Sequence, residues 1–250
     1  MKREWISVFS EALSREMHLL VYGERGTPLL AFPCQDGMCD NWESFQMPET
    51  LADFIDGGRI QLFCVDTVDA ESFSARGGDP AHRAQVQEQY YRFIVEEVVP
   101  LIHERNSADA LPVLTGCSLG ASHAAICFFR RPDLFAGVLG MSGCYDTVHF
   151  WDGWCDSTLY HNSPVHFLPG LPAEHPYLSL YNQRKIILCV GQGRWEREGQ
   201  RTTALLRDIL QQKGVAVWAD FWGYDVDHDW PWWKKQIRYF LPFLLGENQP

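Results

Sequence analysis

Eight short apolar segments, each bounded by glycine, proline or polar residues, predict eight β-strands along the chain. They lie at residues 4–9, 17–23, 28–32, 59–65, 111–116, 136–141, 185–190 and 215–222. Only a short polar connection separates the first two segments, which predicts an antiparallel hairpin. Most later segments are far enough apart for a crossover helix, which predicts parallel pairing.

Two of the long connections carry clear helix signals. Asp79 stands where an N-cap residue would precede Pro80, and apolar residues then recur at helical spacing. Pro100 is expected to kink the last turn of that helix, because proline has no N–H group to continue the hydrogen-bond ladder. A further helix is predicted over 202–213, where Gly214 ends it.

The order of these elements predicts the fold class. A last helix is expected over 231–245, so that strands and helices alternate through most of the chain. An antiparallel start followed by such alternation predicts an α/β protein with a mostly parallel eight-stranded sheet and helices on both faces. No linker, charge block or repeat interrupts the pattern, which favours a single domain over residues 1–250.

Charge and cysteine content narrow the function classes. The 250 residues include 21 basic and 32 acidic side chains, and the net charge of -11 argues against nucleic acid or an anionic membrane surface as a partner. No segment is apolar for long enough to predict a signal peptide or a membrane span. Several of the eight cysteines, such as Cys64 and Cys189, lie in apolar strands. They predict free thiols and a cytosolic protein.

One short segment carries the strongest chemical signal. Gly116-Cys117-Ser118-Leu119-Gly120 matches the G-x-S-x-G pattern and lies between a predicted strand and a predicted helix. In that context the turn is expected to be a nucleophile elbow, in which the glycines avoid collisions with the neighbouring backbone. The alternative is an ordinary strand-to-helix turn that happens to contain a serine.

A nucleophilic serine needs a base, and His228 is the best candidate. It follows the last predicted strand, where the histidine of a serine–acid–histidine triad is expected. Four other histidines are expected on the surface or in packing positions; they are His123, His161, His166 and His175.

The acid of the triad is expected in the loop after the seventh strand. Glu196 occupies that loop, in GQGRWERE, and is the preferred candidate. The other carboxylates nearby are expected to be solvated loop charges; they are Glu198, Asp225, Asp227 and Asp229. No cluster of His, Cys and acidic residues has convincing metal-ligand spacing outside the histidine loop, so neither a metal nor a cofactor is expected.

An oxyanion hole needs two backbone N–H donors near the serine. The first is expected from Leu119, directly after the nucleophile. The second is expected from the loop after the third strand, where Pro33 has no N–H group. Cys34 is therefore the first candidate and Gln35 the second.

Three segments also resemble the putative-esterase group of α/β-hydrolases, which includes esterase D and the antigen 85 mycolyltransferases. They are SEALSREMHLLVYG near the start, GCSLGA at the elbow and HDWPWW near the end. The resemblance spans nearly the whole chain and implies the α/β-hydrolase fold and a serine hydrolase of esters or thioesters without a cofactor. It assigns the triad to Ser118, Glu196 and His228, and acyl transfer is the less common activity that it implies.

The chain departs from that group before the oxyanion loop, where Phe32-Pro33 replaces the frequent His-Gly or Asp-Gly. The substrate is less defined than the reaction. Residues 143–182 are long enough to form a partial lid, and their aromatic side chains either line an acyl or aryl pocket or close the core; the candidates are Trp151, Trp154 and Tyr160. Together these features predict a serine carboxylesterase acting on a small-molecule ester. The alternatives are an acyltransferase and a non-catalytic binding protein.

Overall fold

The computed structural model describes residues 1–247, and they form a mostly parallel eight-stranded sheet. Its spatial order is β1-β2-β4-β3-β5-β6-β7-β8. The β1–β2 pair is antiparallel and most of the other pairs are parallel, as the sequence predicted; the β2–β4 pair is antiparallel as well. The strands are β1 Arg3–Ser10, β2 Arg15–Tyr22, β3 Thr27–Phe32, β4 Ile60–Val65, β5 Val113–Cys117, β6 Gly137–Met141, β7 Lys185–Val190 and β8 Trp218–Phe221.

Helices connect these strands and cover both faces of the sheet. They are α1 Asn41–Ser44, α2 Met47–Thr50, α3 Ala52–Asp56, α4 Pro80–Arg92, α5 Val99–Arg105, α6 Leu119–Arg130, α7 Val148–Trp151, α8 Ser157–His161, α9 Pro164–Phe167, α10 Pro176–Asn182, α11 Arg197–Gln212 and α12 Trp230–Leu244. Short 3₁₀ turns occupy Asp69–Glu71 and Leu168–Gly170. The predicted domain ends at residue 250, and residues 248–250 lie outside the described part.

Two predicted element boundaries differ from those in the structure, and local chemistry explains each difference. The helix through α4 does not simply kink at Pro100, because a π-helical segment, Phe93–Val98, comes first and α5 then starts one residue before the proline. Proline cannot donate to the carbonyl one turn earlier, and a π-helical turn accommodates such a break in the ladder. The predicted kink is thus a change of helix type spread over more than one turn.

Strand β8 begins later than the predicted residue 215, because the end of α11 uses that segment. Gly214 adopts φ +70°, its N–H donates to the Gln211 carbonyl, and the N–H of Val215 donates to the Leu210 carbonyl. This pair of bonds is a Schellman C-cap. Val215 therefore completes the helix, and the strand starts at Trp218.

The hydrophobic core has two layers, one on each face of the sheet. One layer is formed mainly by α4, α5, α6 and α11, and the other by α1 to α3 and α12. Burial on both faces explains why β4, β5 and β6 consist almost entirely of buried residues. Because β3 to β8 all run in the same direction, their carboxyl ends lie at one edge of the sheet, where their loops can converge.

The segment 143–182 packs against this body through buried contacts. Tyr181 is fully buried and its hydroxyl donates to the Phe129 carbonyl at 2.5 Å. The amide of Asn162 donates to Glu88, which also pairs with Arg130. These contacts join α8 and α10 to α4 and α6, so a large part of the predicted lid segment forms core.

Candidate active site

Ser118 occupies a strained turn between β5 and α6. Its backbone has φ +56° and ψ -126°, a conformation that costs a non-glycine residue about 1–3 kcal/mol. A Cβ atom on Gly116 would lie 2.2 Å from the Gly120 carbonyl carbon, and one on Gly120 would lie 2.4 Å from the carbonyl oxygens of Phe32 and Pro33. Both positions therefore require glycine, and the close approach at Gly120 brings the loop after β3 against the turn.

Three side chains from different strand ends converge at this turn. Ser118 Oγ lies 2.8 Å from His228 Nε2, and His228 Nδ1 lies 3.1 Å from Glu196 Oε2. When the Nδ1–H group of His228 donates to Glu196, Nε2 is left to accept a hydrogen bond from the serine hydroxyl. The sequence-predicted serine, acid and histidine thus form one continuous hydrogen-bonded chain.

The carboxylate of Glu196 is fully buried and has two further donors. Its Oε1 accepts from the Ser142 hydroxyl at 2.5 Å and from the Gly191 N–H at 3.3 Å. Trp233 Nε1 donates to Ser142 Oγ at 2.9 Å, and its ring packs edge-to-face on His228 with centroids 5.0 Å apart. Burial of a charged carboxylate requires such donors, since an unpaired one would be costly.

Sequence analysis did not single out Ser142 or Trp233. Ser142 directly follows β6, the strand that lies between the serine strand β5 and the acid strand β7. That position at the carboxyl end of a central strand was the available signal. Trp233 belongs to the HDWPWW segment, but the sequence alone does not show which of its aromatic rings faces the histidine.

The other candidate acids have partners elsewhere. Asp227 accepts from the backbone and side chain of Arg194 at 2.7 and 2.9 Å, and these hydrogen bonds lower the pKa of Asp227. Asp229 caps α12 and Glu198 pairs with Arg201. Among the acids in residues 1–247, Glu196 is the one hydrogen-bonded to His228.

The loops after β7 and β8 are tied to each other. The N–H of Gly193 donates to the Val226 carbonyl at 2.9 Å, and the N–H of His228 donates to the Arg194 carbonyl at 3.0 Å. Together with the Arg194–Asp227 pair, these bonds fix the loop of the histidine to the loop of the acid. The distance between His228 and Glu196 is therefore set by backbone pairing as well as by their own contact.

The two candidate donors in the loop after β3 differ in availability. The N–H of Cys34, the first choice from the sequence, donates to Asn41 Oδ1 at 3.1 Å. The N–H of Asp36 donates to Asp69 Oδ2 at 3.2 Å. Between them, the N–H of Gln35 has no acceptor within residues 1–247. Leu119 is the first residue of α6, so its N–H also lacks an intrahelical acceptor. The geometry therefore favours Gln35 over Cys34.

Of the three aromatic candidates for substrate binding, Trp151 lies in the core and the other two pack against it. Trp151 is 2% exposed, donates from Nε1 to the Pro80 carbonyl at 3.1 Å, and packs edge-to-face on Phe73. Trp154 and Tyr160 are half-buried against the same apolar layer. Of the two interpretations that the sequence allowed, these contacts match core closure.

The remaining histidines are occupied by local contacts or packing. His161 Nδ1 lies 2.7 Å from the Ser157 carbonyl of its own helix, and His175 caps α10. His166 lies on α9, and its Nδ1 atom is buried without a hydrogen-bond partner in the described residues. His123 is buried on α6 and contacts Asp69.

The described residues, 1–247, contain no group of three or more His, Cys, Asp or Glu side chains arranged to hold a metal ion. No helix in this range is long and apolar enough to cross a bilayer. All eight cysteines are free thiols. Burial, with a smaller contribution from the nearby charge of Asp69, raises the pKa of Cys34 to about 12.

Several solved structures share this fold. A ferulic acid esterase matches with a TM-score of 0.75 and 15% identity, covering 98% of this chain and 97% of that one. The S-formylglutathione hydrolase of Agrobacterium tumefaciens matches at 0.72 and 15%, covering 98% and 95%. Mycobacterium tuberculosis MPT51 matches at 0.70 and 14%, covering 98% of both chains. No curated protein matches the chain.

A family model gives the stronger assignment, because it matches the sequence directly and over most of its length. The model is described as "Putative esterase" and matches residues 10–244. That range includes the elbow and the loops that carry Glu196 and His228. The chain therefore belongs to this esterase family and is a carboxylic ester hydrolase with the α/β-hydrolase fold.

Proposed function

We propose that the protein hydrolyses small esters or thioesters through an acyl-enzyme on Ser118, with His228 as general base and acid and Glu196 as the orienting carboxylate. The hydrogen-bonded chain Ser118–His228–Glu196, at 2.8 and 3.1 Å, is the observation that carries this proposal. A serine hydroxyl is a weak nucleophile, and an adjacent oriented imidazole is the usual means of activating it.

In the acylation step, Ser118 Oγ attacks the carbonyl carbon while His228 Nε2 takes the hydroxyl proton. The carbonyl π electrons move to oxygen, and the resulting oxyanion accepts from the N–H groups of Leu119 and Gln35. When the tetrahedral intermediate collapses, the bond to the leaving group breaks and His228 returns its proton to the departing alcohol or thiol. Ser118 then carries the acyl group.

In the deacylation step, water replaces the alcohol and the same groups act again. His228 Nε2 takes a proton from the attacking water, and the second oxyanion forms in the same place. On collapse the bond between the acyl carbon and Ser118 Oγ breaks, His228 gives its proton to Oγ, and the acid is released. Glu196 stabilises the imidazolium in both steps. Its donors Ser142 and Gly191 keep the carboxylate oriented towards the histidine.

We also propose that the chain acts as one domain in the cytosol, without a cofactor. The continuous eight-stranded sheet supports a single domain. The eight free thiols fit a reducing compartment.

Covalent labelling tests the proposed nucleophile. The intact protein is treated with a fluorophosphonate, and mass spectrometry is expected to find one adduct, on Ser118, with loss of p-nitrophenyl acetate hydrolysis. Ser122→Ala is the matched control, because this serine lies on the same helix but donates to the Cys144 carbonyl. It is expected to label normally. Absence of any adduct together with absence of ester hydrolysis would favour a non-catalytic binding protein.

A further inference from the structure

Asp69 is a buried carboxylate that the proposed chemistry does not use. Its side chain is fully buried in the 3₁₀ turn after β4. Oδ1 lies 2.8 Å from His123 Nε2, and Oδ2 accepts from the Asp36 N–H at 3.2 Å. Since a carboxylate without partners is costly inside a protein, both contacts are needed to keep it there.

The two partners of Asp69 lie next to the two candidate oxyanion donors. His123 is on α6, one turn after Leu119, and Asp36 directly follows Gln35. Asp69 therefore connects the helix that carries one donor to the loop that carries the other. A connection through a buried hydrogen-bonded pair restricts the movement of both ends, because protein interiors are close-packed.

His123 is itself held in place by aromatic rings. The ring of Tyr90 lies 5.1 Å from it and the ring of Phe73 lies 5.4 Å away, both edge-to-face. Phe32, the last residue of β3, lies 6.1 Å away. The imidazole is 1% exposed, so it presents Nε2 to Asp69 from a fixed position.

The loop after β3 is held at several further points by the segment after β4. Thr67 Oγ1 donates to the Gly37 carbonyl at 2.9 Å, and the N–H of Cys39 donates to Asp66 Oδ1 at 2.9 Å. Asp36 has φ +59°, a left-handed conformation that is uncommon outside glycine, although aspartate tolerates it better than most residues, and contacts that constrain the loop help to hold it there. The contact of its N–H with Asp69 is one such constraint.

We propose that Asp69 and His123 are positioning residues for the oxyanion hole, and that they fix the N–H of Gln35 as its second donor. This inference rests on the proposed function and specifies how its oxyanion hole is built. The neighbouring N–H groups of Cys34 and Asp36 are directed to Asn41 and Asp69, which leaves that of Gln35 for the substrate. Displacement of a donor by about 1 Å can cost up to a hundredfold in rate.

Asp69→Ala removes the acceptor and is the main test. With p-nitrophenyl acetate, kcat is expected to fall about tenfold to a hundredfold while KM changes less than about threefold. A trifluoromethyl ketone, which forms a tetrahedral oxyanion on the serine, should lose affinity by a similar factor. Asp69→Asn retains one acceptor oxygen and is expected to recover part of the loss. If Asp69 only stabilised the fold, the folded variant would keep the wild-type affinity for the ketone.

Asp146→Ala is the matched control, because Asp146 is also a buried carboxylate that accepts from a backbone N–H, that of Val148. Its kcat and ketone affinity are expected to stay within about threefold of wild type, even if its melting temperature falls. Each variant is first checked for a cooperative melt and for complete fluorophosphonate labelling at long times. If Asp69→Ala does not fold, Asp69→Asn and His123→Gln decide the matter by the same two measurements.

Folded variants of Asp69 or His123 with wild-type kcat and wild-type ketone affinity would overturn the inference. The proposed function would stand in that case, because the wild-type enzyme would still hydrolyse the ester and label at Ser118. A wild-type protein that neither labels nor hydrolyses would overturn the proposed function, and with it the inference.

Discussion

His228 contacts Ser118 through its side chain and is itself held by Glu196, whereas the proposed donors Leu119 and Gln35 would act through backbone N–H groups. Strands β3 and β6 flank β5 on its two sides, so the proposed acid–base groups come from the β6–β8 side of the sheet and the proposed second N–H donor comes from the β3 side. The acid–base groups depend on which side chains are present, so a substitution can remove them directly. The N–H donor in the loop after β3 depends on which neighbouring N–H groups are already hydrogen-bonded, so a substitution can affect it only through the residues that support that loop.

Ser118→Ala should have the largest effect, because it removes the proposed nucleophile on which both acylation and deacylation depend. We expect kcat/KM for a small activated ester to fall at least about a thousandfold, with an unchanged far-ultraviolet circular dichroism spectrum. Steady-state hydrolysis with the purified variant is the measurement. Retention of more than about a tenth of the activity would exclude Ser118 as the nucleophile.

Glu196→Gln tests the proposed acid–base groups alone. It keeps the shape of the acid but removes the charge that stabilises the imidazolium, so turnover should fall by about two to four powers of ten. Asp225→Asn, Asp227→Asn and Asp229→Asn are the matched controls and should each cost less than about tenfold. If one of these aspartates were essential and Glu196→Gln nearly silent, the acid would be misassigned while the serine and histidine assignments remained.

Ser142→Ala should weaken the acid–base groups indirectly, because Ser142 contacts Glu196. It leaves Glu196 Oε1 with only the Gly191 N–H and removes the acceptor of Trp233 Nε1, so we expect kcat to fall about tenfold. Ser142→Gly removes the same hydroxyl but relieves the positive φ of +56°. The glycine variant should therefore match the alanine variant in kcat and melt at a higher temperature.

Equal melting temperatures for the two Ser142 variants would show that the backbone strain at this position is small. Wild-type kcat in both would show that the Ser142 hydroxyl does not contribute to the orientation of Glu196.

Asn41→Ala tests the proposed N–H donor Gln35 indirectly, through the neighbouring N–H group of Cys34. It frees the N–H of Cys34, and we expect a decrease of about threefold to tenfold in kcat because the loop of Gln35 can then rotate. Asn41→Asp keeps an acceptor oxygen at that position and is expected to stay nearer to wild type. Kinetics with p-nitrophenyl acetate provide the comparison, and a higher kcat in the alanine variant than in the aspartate variant would contradict this expectation.

Thiol modification should have the smallest effect. Burial raises the pKa of Cys34 to about 12, so at neutral pH this group is almost entirely the unreactive thiol, and its thiolate would appear only as the pH approaches 12. Cys155 is the exposed cysteine. Iodoacetamide at pH 7.5 should therefore alkylate Cys155 first without loss of activity, as judged by peptide mass spectrometry and ester hydrolysis. Early alkylation of Cys34 with inactivation would contradict this.

The sequence predicts the side-chain half of the site more completely than the backbone half. The G-x-S-x-G turn and the positions of Glu196 and His228 after strands β7 and β8 are local signals, each visible in a short window. All eight strands were predicted, and the signal was clearest for β4, β5 and β6, where burial on both faces gives continuous apolar segments. The start of β8 was missed because the Schellman cap at Gly214 draws Val215 into the helix end.

The residues that hold the site in place could not be predicted from the sequence, for a different reason. Asp69 and Asp36 are 33 positions apart, and Ser142 and Glu196 are 54 apart. No local pattern records which distant groups will meet, since that depends on the strand order. The preference for Cys34 over Gln35 rested on proximity to Pro33 alone, and the Asn41 side chain that occupies the Cys34 N–H could not be anticipated.

The strand order also has a consequence for how activity arises during folding. Residues 1–65 supply β1 to β4 and residues 113–221 supply β5 to β8, and the two groups of strands pair only along β3 and β5. Ser118, Glu196 and His228 all belong to the later part of the chain, whereas Gln35 and Asp69 belong to the earlier part. A folding intermediate with only the later strands assembled would hold the proposed nucleophile, base and acid but lack the proposed second N–H donor. If Gln35 is that donor, full turnover requires that β3 has docked on β5.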